Sequence, residues 1–152
     1  MRDVILFGPP SAALQVLLDD RDGHDFPDVA RVVGGLVPAQ ALTVLPGLPY
    51  SIARIVAHML VNMRFNLGLI RAPDPAAYPV PAEHWPAVGA DDWPALVDEF
   101  LSTLETLKQV AASGGLERVL YPMTGDEPAW TVGYKLACSA WNEPGRPEAD
   151  QR

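Results

Sequence analysis

One cysteine, Cys138, stands in a chain of 152 residues. No internal disulfide can form, and there is no cysteine pair of the kind that holds structural zinc. That usage fits a reducing compartment, and a cytoplasmic location is the expectation. Positive charge is also scarce, with 11 Lys and Arg against 19 Asp and Glu and a formal net charge of -8. Such a surface repels phosphate backbones and anionic headgroups, so neither nucleic acid nor a membrane surface is expected as a partner. Long apolar runs are missing as well. Val4-Ile5-Leu6-Phe7 is cut off by Gly8-Pro9-Pro10 and is too short for a signal-peptide core. Residues 52–70 form the longest apolar segment, but Arg54, His58, Asn62, Arg64 and Asn66 interrupt it, which argues against a membrane span.

Catalytic motifs are few. Gly8-Pro9-Pro10-Ser11 follows an apolar run but lacks the Gly-Lys-Ser/Thr ending that makes a phosphate-binding loop. Ser51 and Ser139 have no recognisable base and orienter, and no Gly-x-Ser-x-Gly occurs. Inward-facing carboxylate pairs, which a di-iron bundle requires, are absent. The adjacent acids Asp19-Asp20 and Asp91-Asp92 read as a solvated helix end and a cap.

Proline, by contrast, is plentiful at 16 residues, and apolar residues make up 49%, the composition of a globular domain. The prolines fall between apolar segments and predict rigid connections and sharply ended helices. Residues 11–20 read as a helix capped by Ser11, with Leu14, Leu17 and Leu18 on one face. Phe26, Val29, Val32 and Val33 continue the period until Gly34-Gly35, as a separate piece or as the rest of an interrupted first helix. Pro46, Gly47 and Pro49 make residues 45–51 a loop.

The strongest helix starts at Ser51. Ile52, Ile55, Val56, Met59, Leu60, Met63, Leu67 and Ile70 mark its period, and Ala72-Pro73 ends it. Residues 73–90 hold five prolines and form a long connection. Asp91 or Asp92 caps a third helix with Pro94 in its first turn and an apolar stripe of Trp93, Leu96, Val97, Phe100, Leu104, Leu107 and Val110. Ser113-Gly114-Gly115 stop it. A fourth helix, beginning near Glu127-Pro128, carries Trp130, Tyr134, Leu136, Ala137, Cys138 and Trp141 up to Pro144-Gly145. Residues 146–152 are a polar tail, expected to be disordered. The reading is an all-α, single-domain four-helix bundle, with residues 73–90 crossing the bundle end in an up-down-down-up order.

Among polar residues inside these helices, His58 is the most informative. It shares a helix face with Ile55 and Asn62. A neutral imidazole there can ligate a divalent metal inside a bundle, although a lone helical histidine is more often packed and hydrogen-bonded to a neighbour. Cys138 likewise reads first as a small buried residue. His24 and His84 fall in loops.

The segment Leu45-Pro46-Gly47-Leu48-Pro49-Tyr50-Ser51-Ile52-Ala53-Arg54-Ile55-Val56-Ala57-His58-Met59, followed by Asn62-Met63-Arg64-Phe65-Asn66-Leu67, resembles the second-helix signature of the DinB-like superfamily. The likeness extends through His84-Trp85-Pro86, Asp92-Trp93 and Glu127-Pro128-Ala129-Trp130-Thr131-Val132, about residues 11–142 in all. It implies a four-helix bundle, usually dimeric, with zinc or nickel held by three histidines, one on the second helix and two spaced four apart on the last. Thiol-dependent transferases, isomerases and metal-dependent hydrolases are the activities it suggests. His58 matches the second-helix ligand. The four-spaced pair falls at Cys138 and Asn142, or at Asn142 and Arg146, and no histidine follows His84. Pro144 and Pro147 also end the helix early. Beside His58 the chain therefore offers a thiolate, which is a good zinc ligand, and an amide oxygen, which is a weak one.

Two functions follow from the resemblance. One is a metal-dependent hydrolase or thiol transferase of unknown substrate with a degenerate site around His58. The other is a homodimeric scaffold, or a module that binds a small molecule or protein, with no metal and no catalysis. A homodimer is expected in either case, because Trp85, Trp130 and Trp141 exceed what four short helices need and aromatic residues are favoured at interfaces.

Overall fold

The computed structural model describes residues 29–121 and 130–140. The expected helix over 11–20, His24, the start of the last helix at Glu127-Pro128, Trp141, Asn142 and the tail lie outside the described residues. Within them the chain is mostly helical, with α1 (Val29–Gly34), α2 (Pro38–Leu42), α3 (Ile52–Arg71), α4 (Trp93–Ala112) and α5 (Val132–Ala140). A short ribbon of β1 (Val119–Tyr121) and β2 (Trp130–Thr131) precedes α5. No helix among the described residues is long and apolar enough to cross a membrane.

The local reasons for α3 are those the sequence supplies. Ser51 is extended, and its hydroxyl accepts from the Arg54 backbone N–H at 3.3 Å, so it satisfies one of the free donors of the first turn. Ala72, before Pro73, leaves helical geometry. Val56, Leu60, Met63, Leu67 and Ile70 are buried as their spacing predicts. Ile52 and Ile55 belong to the same period but stay exposed, beside the equally exposed Leu45 and Leu48. On α4, Trp93, Val97, Phe100, Leu107 and Ala111 are buried, and the helix stops where Gly114 and Gly115 take positive φ. Trp93 Nε1 donates to the Leu36 carbonyl at 3.0 Å and so ties the α1–α2 connection to α4.

The structure departs from two sequence expectations and adds one helix. Asp92 does not cap α4 with its side chain: its backbone is already helical, and its carboxylate accepts from the Gly89 N–H at 2.8 Å, which holds the preceding turn instead. α2 was not anticipated. Pro38 opens it, Gln40 Oε1 accepts from the Val37 N–H at 3.1 Å, and Ala41 is fully buried. The last helix starts at Val132, because Trp130 and Thr131 are extended and pair antiparallel with β1 around a bulge. The Val132 and Gly133 N–H groups donate to the carbonyls of Arg118 (3.0 Å) and Leu116 (2.8 Å), so the turn after α4 holds the start of α5.

Side-chain pairings fix the helix directions. The first turn of α4 (Asp92, Leu96) shares a cleft with Ala57 and Leu60 of α3, Glu99 pairs with Arg64, and Arg118, beyond the end of α4, donates to the Ile70 carbonyl. Both helices therefore run in the same direction. α5 starts by the 116–118 turn, at the C-terminal end of α3, and by Ser139 has come back to Asn66, so it runs antiparallel to α3. Because α3 and α4 are parallel, the connection between them must travel back along α3. It does so through a 3-10 turn at Pro75–Ala77 and then an extended path, with Tyr78 lying over Gly68 and Phe65, and Trp85 over His58. A Cβ on Gly68 would overlap the Tyr78 ring, so the glycine permits this close approach.

The core lies between α3, α4 and α5, with Leu60, Met63, Phe100, Leu107 and Leu136 in one cluster. Phe100 is 1% exposed. Phe100→Ala is expected to lower unfolding free energy by about 3–5 kcal/mol, a large share of what a domain this size holds, read as a drop in the urea midpoint at unchanged slope.

Candidate functional site

Three α3 residues one helical turn apart, Arg54, His58 and Asn62, line up behind Tyr50, and all four engage the crossover or one another. Arg54 donates to the Trp85 carbonyl through Nε (3.4 Å) and Nη2 (3.3 Å). His58 Nδ1 lies 2.6 Å from the His84 carbonyl. A carbonyl only accepts, so Nδ1 carries the proton, and Nε2 is left to accept from Asn62 Nδ2 at 3.1 Å. Trp85 is sandwiched: its ring stacks on His58 with centroids 3.8 Å apart and planes 3° from parallel, and on Tyr50 at 4.1 Å and 18°. The Arg54 guanidinium sits 5.2 Å from the Tyr50 centroid. Glu83 Oε1 accepts from the Trp85 N–H at 2.7 Å and closes the turn that presents the indole.

The same geometry shows what surrounds each ring nitrogen of His58. A proton on Nδ1 bonded to a backbone carbonyl is also how a metal-ligating imidazole is oriented. The discriminating atom is Nε2, whose lone pair is occupied by the Asn62 amide. Among the described residues, no group of three or more His, Cys, Asp or Glu could hold a metal ion. His84 is exposed and engages His58 through its carbonyl. Cys138 is half-buried on α5, one turn beyond Lys135, and Asn142 lies outside the described residues. Among the described residues, His58 thus stands with Asn62 and the His84 carbonyl and with no second histidine, cysteine or carboxylate bonded to its ring. Of the tryptophans the sequence left for an interface, Trp85 and Trp130 find ring partners within the chain.

A second cluster lies further along α3. Val132, Lys135, Leu136 and Ser139 share the buried face of α5. The Ser139 hydroxyl accepts from Asn66 Nδ2 at 2.8 Å and donates to the Lys135 carbonyl at 3.0 Å, so this buried polar pair is satisfied. Lys135 is different. The residue is 8% exposed, and its Nζ lies 3.6 Å from the Trp130 ring centroid and 6.0 Å from that of Phe65. No carboxylate among the described residues pairs with it. Burial pushes its amine below the ordinary 10.5, an effect partly offset by the Cys138 thiol. Sequence reading passed over Lys135 although a signal existed: a lysine at the i+3 position between Val132 and Leu136 occupies a core register on an apolar helix.

Phe65 also lines a cleft of about 340 Å³ between α3 and the crossover, with Val61, Arg64, Tyr78, Val80, Pro81 and Glu83. The crossover is thus a wall of this cleft, and the residues that pin Trp85 hold that wall in place. No family model matches the chain, and neither a curated protein nor a solved structure matches it.

Two outcomes are expected of this site. His58→Ala and Trp85→Ala, combined in a double-mutant cycle of urea unfolding, should couple by about 0.5–1.5 kcal/mol, the worth of the stack beyond burial; additivity would mean the rings do not support each other. The unfolded chain holds the Lys135 proton up to its ordinary 10.5 and the folded chain releases it earlier, so between the two values stability rises with pH. Urea midpoints measured across that alkaline range should show this rise in the parent chain and lose it in Lys135→Met.

Proposed function

We propose that this chain is a metal-independent binding module, a four-helix bundle of DinB-like shape in which His58 latches the crossover and does not ligate a metal. The parallel course of α3 and α4 and the antiparallel α5 support the last three members of an up-down-down-up order. The observation that carries the functional reading is that both ring nitrogens of His58 are already bonded, one to the His84 carbonyl and the other to Asn62. A ligand histidine needs a free lone pair, and here that lone pair organises the site wall. On this reading the cleft takes a small molecule whose apolar body packs on Val61, Phe65, Tyr78, Val80 and Pro81 and whose polar end meets Arg64 and Glu83. The DinB-like alternative, a hydrolase or thiol transferase with zinc or nickel at His58 and Cys138, must break the Asn62 bond to recruit His58 through Nε2.

Elemental mass spectrometry separates the two. Protein purified without tag or chelator, then incubated with zinc or nickel and desalted, is expected to carry no stoichiometric metal. The His58→Ala variant is expected to match it in metal content while losing about 1–3 kcal/mol of stability from the missing hydrogen bonds and stack. Near-stoichiometric metal that vanishes in His58→Ala would sink the binding-module reading and restore the metalloenzyme.

A further inference from the structure

We propose that the groove along α3 binds a protonated amine with an elongated apolar body, its ammonium held by Glu83. The inference rests on the binding-module reading and names the ligand class. The cleft at Phe65 and Tyr78 does not stand alone. A second cleft, of about 280 Å³, lies between α3, the first turns of α4 and residues 86–88, and the two have Val61 and Arg64 in common. They form one groove that follows α3 from Ala57 to Phe65, about 12 Å of helix. Leu60, Val61, Phe65, Val80, Val88 and Leu96 make its lining mostly apolar. That shape suits a ligand body of medium length that packs along the helix.

Charge selects the end group. Among the described residues, Arg64, Glu83, Asp92 and Glu99 line the groove, three acids against one base. Arg64 is already paired with Glu99. An anionic ligand must compete with that carboxylate for the guanidinium and also meets Glu83 beside it. Glu83 and Asp92 each accept from one backbone N–H, that of Trp85 at 2.7 Å and that of Gly89 at 2.8 Å. Those bonds orient the carboxylates without neutralising them, and neither acid pairs with a cation among the described residues. The net charge of -8 gives the field around the groove the same sign. Of the two acids, Glu83 shares its cleft with the rings of Phe65 and Tyr78, whose centroids lie 5.9 Å apart. Aromatic faces also attract an ammonium. The cation therefore sits by Glu83, and the apolar body runs over Val61 towards Val88 and Leu96. The turn that presents the Trp85 indole thus also sets the carboxylate that reads the ligand.

Isothermal titration calorimetry of the full chain, at neutral pH and low salt, compares three probes with one tail: octylamine, octanol and octanoate. Octylamine is expected to bind once per chain, about fivefold tighter than octanol, with octanoate the weakest. Added salt should bring the amine down to the level of octanol. Glu83→Gln keeps an oxygen for the Trp85 N–H and removes the charge, so it should abolish the amine's advantage and leave octanol unchanged. Asp92→Asn should retain most of that advantage. Val61→Trp fills the junction of the two clefts and should abolish binding of all three probes, with its urea midpoint reporting that it folds. An amine that binds no tighter than octanol, or an advantage that survives Glu83→Gln, overturns the proposal. If octanol still binds in that case, the end group alone is wrong and the binding-module reading stands. Binding of none of the three overturns both. Amine taken up at several sites per chain and unchanged in Val61→Trp is general attraction to an acidic surface, and it overturns the proposal as well.

Discussion

The indole of Trp85, held between Tyr50 and His58, secures a connection with almost no means of securing itself. Because α3 and α4 run in the same direction, the chain must return along a helix of about 30 Å before it can start the next one. Five prolines keep that return extended, and they also remove backbone donors. A segment of this kind builds no ladder of its own, yet its carbonyls still need partners wherever they are covered. The helices and the ribbon provide them. Arg54 donates to the Trp85 carbonyl, His58 to that of His84, and the Tyr121 hydroxyl to that of Pro75 at 2.5 Å. The rings of Tyr78 and Trp85 then weigh the segment down at two points along α3.

This division of labour explains why His58 cannot be read from its residue type alone. A histidine at the middle of an inward helix face suits ligation and latching equally, and in both cases one nitrogen faces a carbonyl. The residue one turn on sets what Nε2 meets. A second histidine or a carboxylate in reach of Nε2 would favour a cation there, whereas Asn62 offers an N–H donor and fills the position with a neutral hydrogen bond. The Trp85 ring covers one face of the imidazole as well. The same contacts that orient the ring also hold the crossover against α3.

Much of this scaffold was legible from short-range rules. Ser51, Pro73 and the Gly114-Gly115 pair mark helix ends because capping, proline geometry and positive φ act within a few residues. His58 and Asn62 could be paired on paper because four residues make one turn. The length and proline content of 73–90 announced a crossover, which the parallel α3 and α4 require. What escaped was set by partners distant in sequence. Trp130 and Thr131 looked like part of a helix, but they pair with β1, and the carbonyls of Arg118 and Leu116 accept from Val132 and Gly133 and start the helix there. Asp92 has the side chain of a cap but spends it on Gly89. Trp85 looked like surplus surface aromatic area because nothing near it in sequence names Tyr50 and His58 as its neighbours.

The two buried polar residues of α5, Ser139 and Lys135, meet different partners. Asn66 and Ser139 bond to each other, and Ser139 also bonds to the helix backbone, so their desolvation is offset within the fold. They locate α5 against α3 and need nothing further. Lys135 sits four residues before Ser139 on the same face, but an aromatic ring is a weaker partner for an ammonium than a carboxylate or water. Its amine lies over the Trp130 face, so this contact ties the ribbon to α5. With a ring in place of a charged partner among the described residues, burial acts on the amine itself and pushes it below its ordinary range.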